Sequence, residues 1–546
     1  MTVVAPADAR VSLPLLAHVA ALAVVLLALV PVVGTSASFS TDEGAAIVQA
    51  KSLSRGGGWV VEHPLPEVDQ PDGRHYPLEL AEWGERGFVP YGKHPLYPLL
   101  LAAADRVGGV TAMVLLSVAG TVAAAALAGA LARRLDASLA GPAVWAVGVA
   151  SPLLFDGFLV MGHTLAAALA AGAVLAAVVA LERRDPRPAL AVGPLVAGAV
   201  LLRSEAVFLA LGLAVVAAAV SAGRRRVAGL IALGSLAAGA GAHLFETWWL
   251  RRLTDRGTAA VRSAPAAAGT EAESFLSGRW RGFVRTVLSP TYGGDPLVAV
   301  LLLVMVVAVV AMVLRRQRDM AALAAATAVL ALVMGPETVV PGLLVAFPVA
   351  TAGLVLVRRS ALRTTAAQVS LGVFAVIAAC VVATQYAVGG ATEWGGRFFA
   401  VGLPVVVPVL LLALKQASLD RWVVVSLVVC SLAMATLGVS SLRHQHRRLG
   451  QLVNTAASVE APVVVATYGS VPRWAWRTFD DKRWLITQPS DLPGLLGRLR
   501  DAGVARIGLV TPNQARDRAL LGTAEVVSSA EPELARGWHI LVVALG

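Results

Sequence analysis

The chain has 546 residues, of which 57% are hydrophobic and only 14% charged, with a mean hydropathy of +0.74. That balance excludes an ordinary soluble protein, because apolar runs of about 17 to 23 residues recur along the chain, each long enough to cross a ~30 Å hydrocarbon layer as a helix. The net charge of +11 calls for no nucleic-acid partner, since many arginines fall in short clusters between apolar runs, as the positive-inside rule expects.

In chain order the apolar runs are 11–33, 110–131, 139–155, 164–181, 189–202, 206–222, 228–247, 297–314, 320–334, 339–357, 366–388, 398–414 and 422–439. About 13 transmembrane helices are therefore expected. The first run exceeds the apolar core of a signal peptide, so it reads as a retained helix rather than a cleaved leader. Alternate connections carry Arg133 and Arg134, Arg183 and Arg184, Arg224 to Arg226, Arg315 and Arg316 with Arg318, Arg358 and Arg359, and Lys415 with Arg421. This alternation places the amino terminus inside the cell and puts residues 34–109, 248–296 and everything after 440 on the outer face. Arg443, Arg447 and Arg448 go against the pattern. Arg203-Ser204-Glu205 interrupts an apolar stretch and marks a tight outer turn or a cavity between two helices. The loop 248–296 reads as a flap with an interfacial helix. Cys380 and Cys430 lie within apolar runs, where they suit packing and offer neither a disulfide framework nor a metal-binding pair.

After residue 455 the composition changes. Val463 to Val465, Ile507 to Val510 and Ile540 to Val543 read as strands and Leu492 to Ala502 as a helix. The expected fold class is thus a polytopic α-helical membrane protein, its membrane domain spanning 1–440, with a small outer α/β domain over 455–546.

The chemistry concentrates in the first outer loop. Ser40-x-x-Glu43 has the spacing of a capping box, and Asp42 falls in the first turn of a helix running to about Leu53. Ala46, Ile47, Ala50 and Leu53 share one face, so this helix is expected to lie along the membrane. A carboxylate held that close to the lipid surface can take a proton from an acceptor hydroxyl, whereas capping alone accounts for Glu43 equally well. Lys93 precedes His94 and Pro95, a proline suited to the first turn of a helix reaching about Arg106. Beside lipid, Lys93 suits either a phosphate or a snorkelling position.

These residues resemble the membrane glycosyltransferases of the GT-C class, particularly the protein O-mannosyltransferases and the lipid A aminoarabinose transferases. The resemblance rests on Asp42-Glu43 in the first outer loop and on Lys93-His94-Pro95-Leu96, where His94 stands in place of a proline. Leu202-Arg203-Ser204-Glu205 is similar to an Arg-Pro-Glu signature of the class, with Ser204 at the proline position. Trp394-Gly395-Gly396-Arg397-Phe398, at the end of a glycine-rich run from Gly389, resembles a Trp-Gly-x-Arg-Tyr signature.

The resemblance implies Asp42 as general base, with Glu43 capping the helix or orienting the acceptor, and Lys93, Arg397 and Arg203 around the donor phosphate. His94, Tyr97, Asp156, His163, Glu205 and Trp394 are the implied substrate-binding positions. A second acidic position of the class falls on Asp156 or His163, and either also suits a helix cap. For Arg397 an interfacial arginine bonded to loop carbonyls is a close alternative.

The implied activity is inverting transfer of a sugar from a polyprenyl-phosphate donor to an extracytoplasmic hydroxyl of a glycan, lipid or protein. It would take place at the inner (plasma) membrane, with membrane lipid as a further partner and with no cofactor or metal expected. The Ala, Val, Arg and Gly richness suits a GC-rich bacterial genome, for which mannose or arabinose donors are the natural candidates. Two other readings stand beside it: a lipid or solute transporter lined by Arg203 and Glu205, and an assembly protein that docks partners through its outer domain.

Overall fold

The computed structural model describes residues 13–69, 74–78, 82–83, 87–254, 275–290, 295–335, 339–384, 394–522 and 524–546. The glycine-rich positions Gly389 to Glu393 and residues 255–274 of the expected flap lie outside them; residues 275–283 of that loop are helical.

The principal helices are α1 (Leu13–Val33), α2 (Thr41–Ser54), α3 (Leu96–Leu135), α4 (His163–Arg183), α5 (Val192–Leu202), α6 (Val207–Ala219), α7 (Arg225–Thr254), α8 (Pro296–Arg315), α9 (Arg318–Met334), α10 (Thr365–Thr384), α11 (Leu403–Gln416) and α12 (Arg421–Ala457). Among the described residues eight helices are long and apolar enough to cross a membrane, and the chain is a multi-pass membrane protein. Each of the thirteen expected runs is helical over most of its length. The remaining five form shorter or broken helices, among them α5 and α6, which meet at the turn Ser204–Ala206.

The segment from Leu96 and the run 110–131 are two helices that meet at a kink and are taken together as α3. It bends at Gly108 and at Gly109, whose φ of 60° only a glycine adopts cheaply. Pro95 sits just outside it, at the cap position.

Basic connections gather at one end of the bundle. Arg134 meets Glu182 at 3.3 Å, Arg224 donates to Thr365 Oγ1 at 2.9 Å, Arg316 donates to the Ala417 carbonyl at 2.9 Å, and Lys415 pairs with Asp136. Helix α4 begins with His163 at the opposite end and closes with Arg183 beside that cluster.

The last helix does not stop at 439. It continues to Ala457, carrying Arg443, Arg447 and Arg448, and its final turns cover a five-stranded sheet. A three-stranded sheet of two-residue strands, β1 (Val61–Glu62), β2 (Glu82–Trp83) and β3 (Gly87–Phe88), lies between α2 and α3. The C-terminal sheet comprises β4 (Val463–Ala466), β5 (Arg483–Ile486), β6 (Arg506–Thr511), β7 (Glu525–Ala530) and β8 (His539–Ala544), in the order β5-β4-β6-β8-β7. β4 is parallel to both neighbours, while β8 is antiparallel to β6 and β7.

Alternation along β4 sorts its side chains. Val463 and Val465 join the core under helix Leu492–Asp501, while Val464 and Ala466 pack with Leu452, Val453 and Ala456 of α12. Leu492, Leu495, Leu496 and Leu499 repeat at helical spacing and are all buried, each contributing roughly 1.5–3 kcal/mol as an upper bound. Leu65 and Val68, from the segment between α1 and α3, complete that same core, so this segment and the C-terminal domain are packed as one body.

Candidate active site

Helix α2 starts where the sequence says it should. Ser40 Oγ accepts from the Glu43 N–H, and Glu43 Oε2 accepts from the Phe39 and Ser40 N–H groups at 2.8 Å each, closing the capping box. Glu43 Oε1 accepts from the Val160 N–H at 2.8 Å, which ties the helix start to the segment ahead of α4. Glu43 is buried, and these bonds to backbone give it the capping role. Three of the four residues expected to face lipid, Ala46, Ile47 and Ala50, are covered by protein. Residues Glu43 to Ala50 are all buried, because α2 is covered by α3 on one side and by the turn Val471–Trp474 on another.

That capping leaves Asp42, next in line, half-buried and turned to the charges around it. Lys93 Nζ donates to Asp42 Oδ2 at 3.0 Å, and Arg397 Nη1 lies 4.0 Å from the same oxygen. His94, following Lys93, has φ 41°, in the left-handed region. A proline ring locked near −65° could not adopt it, so the departure from the proline of the resembling motif has a backbone reason. The conformation is held by Glu246 of α7, whose Oε1 accepts from the His94 N–H at 3.1 Å and lies 3.1 Å from its Nδ1. Glu246 is buried in an otherwise apolar stretch; its position inside a span was the signal for it, and sequence reasoning passed over it.

Arg203 and Glu205 form a buried two-point ion pair, Nε to Oε2 at 3.1 Å and Nη2 to Oε1 at 2.5 Å, at the α5–α6 turn. Asp156 and His163 come together in the interior, with His163 Nδ1 3.5 Å from Asp156 Oδ1. Tyr97 is buried on α3 with its ring 6.3 Å from that of Tyr91. Trp394 belongs to an aromatic ladder: it stacks on Phe155 at 5.7 Å, and Phe155 meets Phe39 edge-on at 5.1 Å. It also closes a cleft with Leu154, Ala346 and Gly438, none of which is charged. Arg397, three residues on, reaches Asp42 while Trp394 anchors the turn before it.

The C-terminal domain also touches the site, which sequence reasoning did not anticipate. Gly44 abuts the main chain of Arg473 so closely that a β-carbon there would sit 1.8 Å from the Arg473 carbonyl oxygen. Lys51 of α2 lies 4.7 Å from the centre of the Trp476 ring, and Arg55 pairs with Asp480 at 2.5 Å. Further along the loop, His75 and Ile486 exchange backbone and ring hydrogen bonds, and Arg498 donates to the Val68 carbonyl at 2.8 Å.

Burial pushes the Asp42 carboxyl up, but Lys93, Arg397 and, less strongly, Arg473 outweigh it and hold Asp42 well below the usual carboxylate range. Asp42 is therefore an anion at neutral pH. Burial, and then the Asp42 charge, push the Tyr91 phenol up, so Tyr91 stays neutral. A carboxylate between two cations, at the end of a helical bundle, can both receive a proton and share its cations with an incoming anion. Among the described residues no group of three or more His, Cys, Asp or Glu side chains is placed to hold a metal ion.

No family model and no curated protein matches the chain. Solved structures do. The chain is similar to ArnT from Cupriavidus metallidurans bound to undecaprenyl phosphate, with a TM-score of 0.49 and 15% identity, covering 98% of this chain and 99% of that one. It is also similar to the Archaeoglobus fulgidus oligosaccharyltransferase in its apo form, with a TM-score of 0.48 and 12% identity over 96% of this chain and 72% of that one. A structure of the archaeal oligosaccharyltransferase AglB from Archaeoglobus fulgidus with an inhibitory peptide and a dolichol-phosphate matches with a TM-score of 0.46 and 12% identity, covering 91% and 69% of the two chains.

Proposed function

We propose that the protein is an inverting glycosyltransferase that moves a sugar from a polyprenyl-phosphate carrier to an acceptor hydroxyl on the extracytoplasmic face of the membrane. One observation carries this reading: Asp42, Lys93 and Arg397, distant in sequence, meet around a single carboxylate oxygen, Lys93 at 3.0 Å and Arg397 at 4.0 Å. All three belong to motifs that carry the GT-C resemblance.

The donor phosphate competes with Asp42 for its two cations. Once Lys93 and Arg397 turn to the phosphate oxygens, Asp42 loses the partners that depress its basicity and becomes a better proton acceptor. The acceptor oxygen then forms a bond to the anomeric carbon as the bond from that carbon to the phosphate oxygen breaks. The hydroxyl proton passes to Asp42, and the leaving polyprenyl phosphate takes the electron pair, its added charge met by Lys93 and Arg397. A single displacement inverts the anomeric centre. Glu43 holds the helix start, and the Glu246 to His94 contact holds Lys93 in place. Mannosyl and arabinosyl donors are the first to test, with a glycan, lipid or protein hydroxyl as acceptor.

The deciding experiment incubates purified protein with a panel of polyprenyl-phosphate sugars and acceptors, then repeats it with Asp42→Asn. Turnover is expected in the native protein and lost in the variant, with the thermal unfolding transition retained. Unchanged turnover in Asp42→Asn removes the proposed base.

A further inference from the structure

A second set of side chains, outside the Asp42 cluster, points to ligand binding. In the C-terminal sheet the chain passes from β4 to β5 on one side and then to β6 on the other. The carboxyl ends of β4 and β6 therefore flank a topological switch point, the place where open α/β sheets form a crevice. Thr467 and Thr511, at those two ends, both donate to Asp517 Oδ2, at 2.7 and 2.5 Å. This polar floor is rimmed by aromatic rings. Tyr468 follows Thr467, Trp474 closes the next turn, and Trp538 precedes His539, which pairs with Thr511 across the sheet.

The three rings lie together: Tyr468 to Trp474 at 5.9 Å, Tyr468 to Trp538 at 5.6 Å edge-on, and Trp474 to Trp538 at 6.1 Å. Tyr468 is 46% exposed and the two tryptophans are half-buried. Trp474 Nε1 is a buried donor with no hydrogen-bond partner among the described residues.

We propose that this crevice is a saccharide subsite that holds a sugar ring of the acceptor. Aromatic faces, electron-rich at their centres, suit the C–H face of a pyranose or furanose. The unpartnered indole N–H suits one of its hydroxyl groups, and few placed polar groups on an otherwise aromatic wall are how small-ligand sites fix orientation. A lipid chain would use the rings but leave the indole donor unsatisfied. Position agrees with chemistry. Trp474 is the neighbour of Arg473, whose main chain abuts Gly44 two residues after Asp42, so a glycan seated on the rings lies against the element that carries the proposed base. The assignment of the sugar to the acceptor rests on the transferase reading; the binding itself does not.

The test uses the full chain in lipid nanodiscs, without donor, titrated with mannose and arabinose oligosaccharides of two to six units and followed by saturation-transfer NMR. Saturable binding is expected, weakened at least tenfold in Tyr468→Ala and in Trp538→Ala. Asp42→Asn should bind like the native protein. Tyr468 is exposed, so its removal leaves the fold intact even if the Trp538 variant unfolds. Absence of saturable binding to every probe, or equal binding in Tyr468→Ala, overturns the subsite. So does quenching of a fluorophore on Tyr468→Cys by brominated acyl chains, which would show that lipid covers the rings. Saccharide binding without turnover from any polyprenyl-phosphate donor would instead remove the transferase reading and leave the subsite standing.

Discussion

The two ends of the helical bundle both carry ion pairs, yet they use charge differently. At the arginine-rich end two of the pairs sit in the open: the Arg318 side chain is 71% exposed beside Asp420, and that of Lys415 is 47% exposed beside Asp136. Such pairs typically contribute about 0–1 kcal/mol, because water screens them as well as the partner does. At the other end Glu43, Arg203, Glu205 and Glu246 are buried, and Asp42 is half-buried between two cations. Desolvating charge is costly, so groups kept there must either be fully satisfied or serve a ligand. Glu43 and the Arg203–Glu205 pair belong to the first kind. Asp42 and its two cations are proposed to belong to the second, a donor phosphate exchanging for Asp42 beside Lys93 and Arg397.

That distinction is broken most directly at Asp42. Asp42→Asn removes the proposed proton acceptor but keeps the size of the side chain, and turnover is expected to fall roughly 10²–10⁴-fold, the usual contribution of a positioned base. Thermal unfolding should change little. Lys93→Ala should lower kcat/KM for the donor and weaken binding of free undecaprenyl phosphate. A transition temperature falling by many degrees in Asp42→Asn would place Asp42 with the structural charges instead.

The buried pair should show the opposite signature. Glu205→Gln leaves Arg203 charged and without its two-point partner, and breaking a buried pair from one side costs about 3–5 kcal/mol. The loss is expected in unfolding by denaturant, and Arg203→Met with Glu205→Leu together should recover most of it. If the double variant is stable but binds no donor, Arg203 has a ligand role beyond the pair. Glu43→Gln comes next. It turns an amide N–H₂ toward the backbone N–H groups of either Phe39 and Ser40 or Val160, an expected loss of about 1–3 kcal/mol for the donors left unmet.

What the sequence made legible follows from which contacts are local. Ser40 and Glu43 are three residues apart, and their spacing alone places the start of α2 and so the direction of Asp42. The helical runs were legible for the same reason, since an apolar stretch of membrane length forms a helix wherever it is inserted. That Lys93 and Arg397 converge on Asp42 came only through resembling motifs, since no local rule brings residue 397 to residue 42. Glu246 and Arg473 had no motif and come from distant elements, so nothing marked them as neighbours. The burial of α2 was not foreseen because Ala46, Ile47 and Ala50 look the same whether they face lipid or the protein interior. β7, Glu525–Ala530, escaped because its largely exposed, polar pattern is that of an edge strand supported on one side only.

The smallest expected effect lies at the exposed end and sharpens the contrast there. Hydrogen bonds from Lys415 and Ser138 hold the Asp136 carboxyl down at about 2, below the ordinary carboxylate value near 3.8. A carboxylate depressed on folding contributes stability above its unfolded value and loses it as pH falls through its folded one, so this contribution is present above about pH 4 and gone near pH 2. Because the pair is solvated, its size is discounted to about 0.5 kcal/mol. Lys415→Met should therefore lower the unfolding free energy by no more than that at pH 7, lose even this difference near pH 2, and lose most of it in 1 M salt, where the screening length is ~3 Å. A loss of several kcal/mol would mean that the arginine-rich end is held by charge after all, and that exposure alone does not separate structural ion pairs from those kept for a ligand.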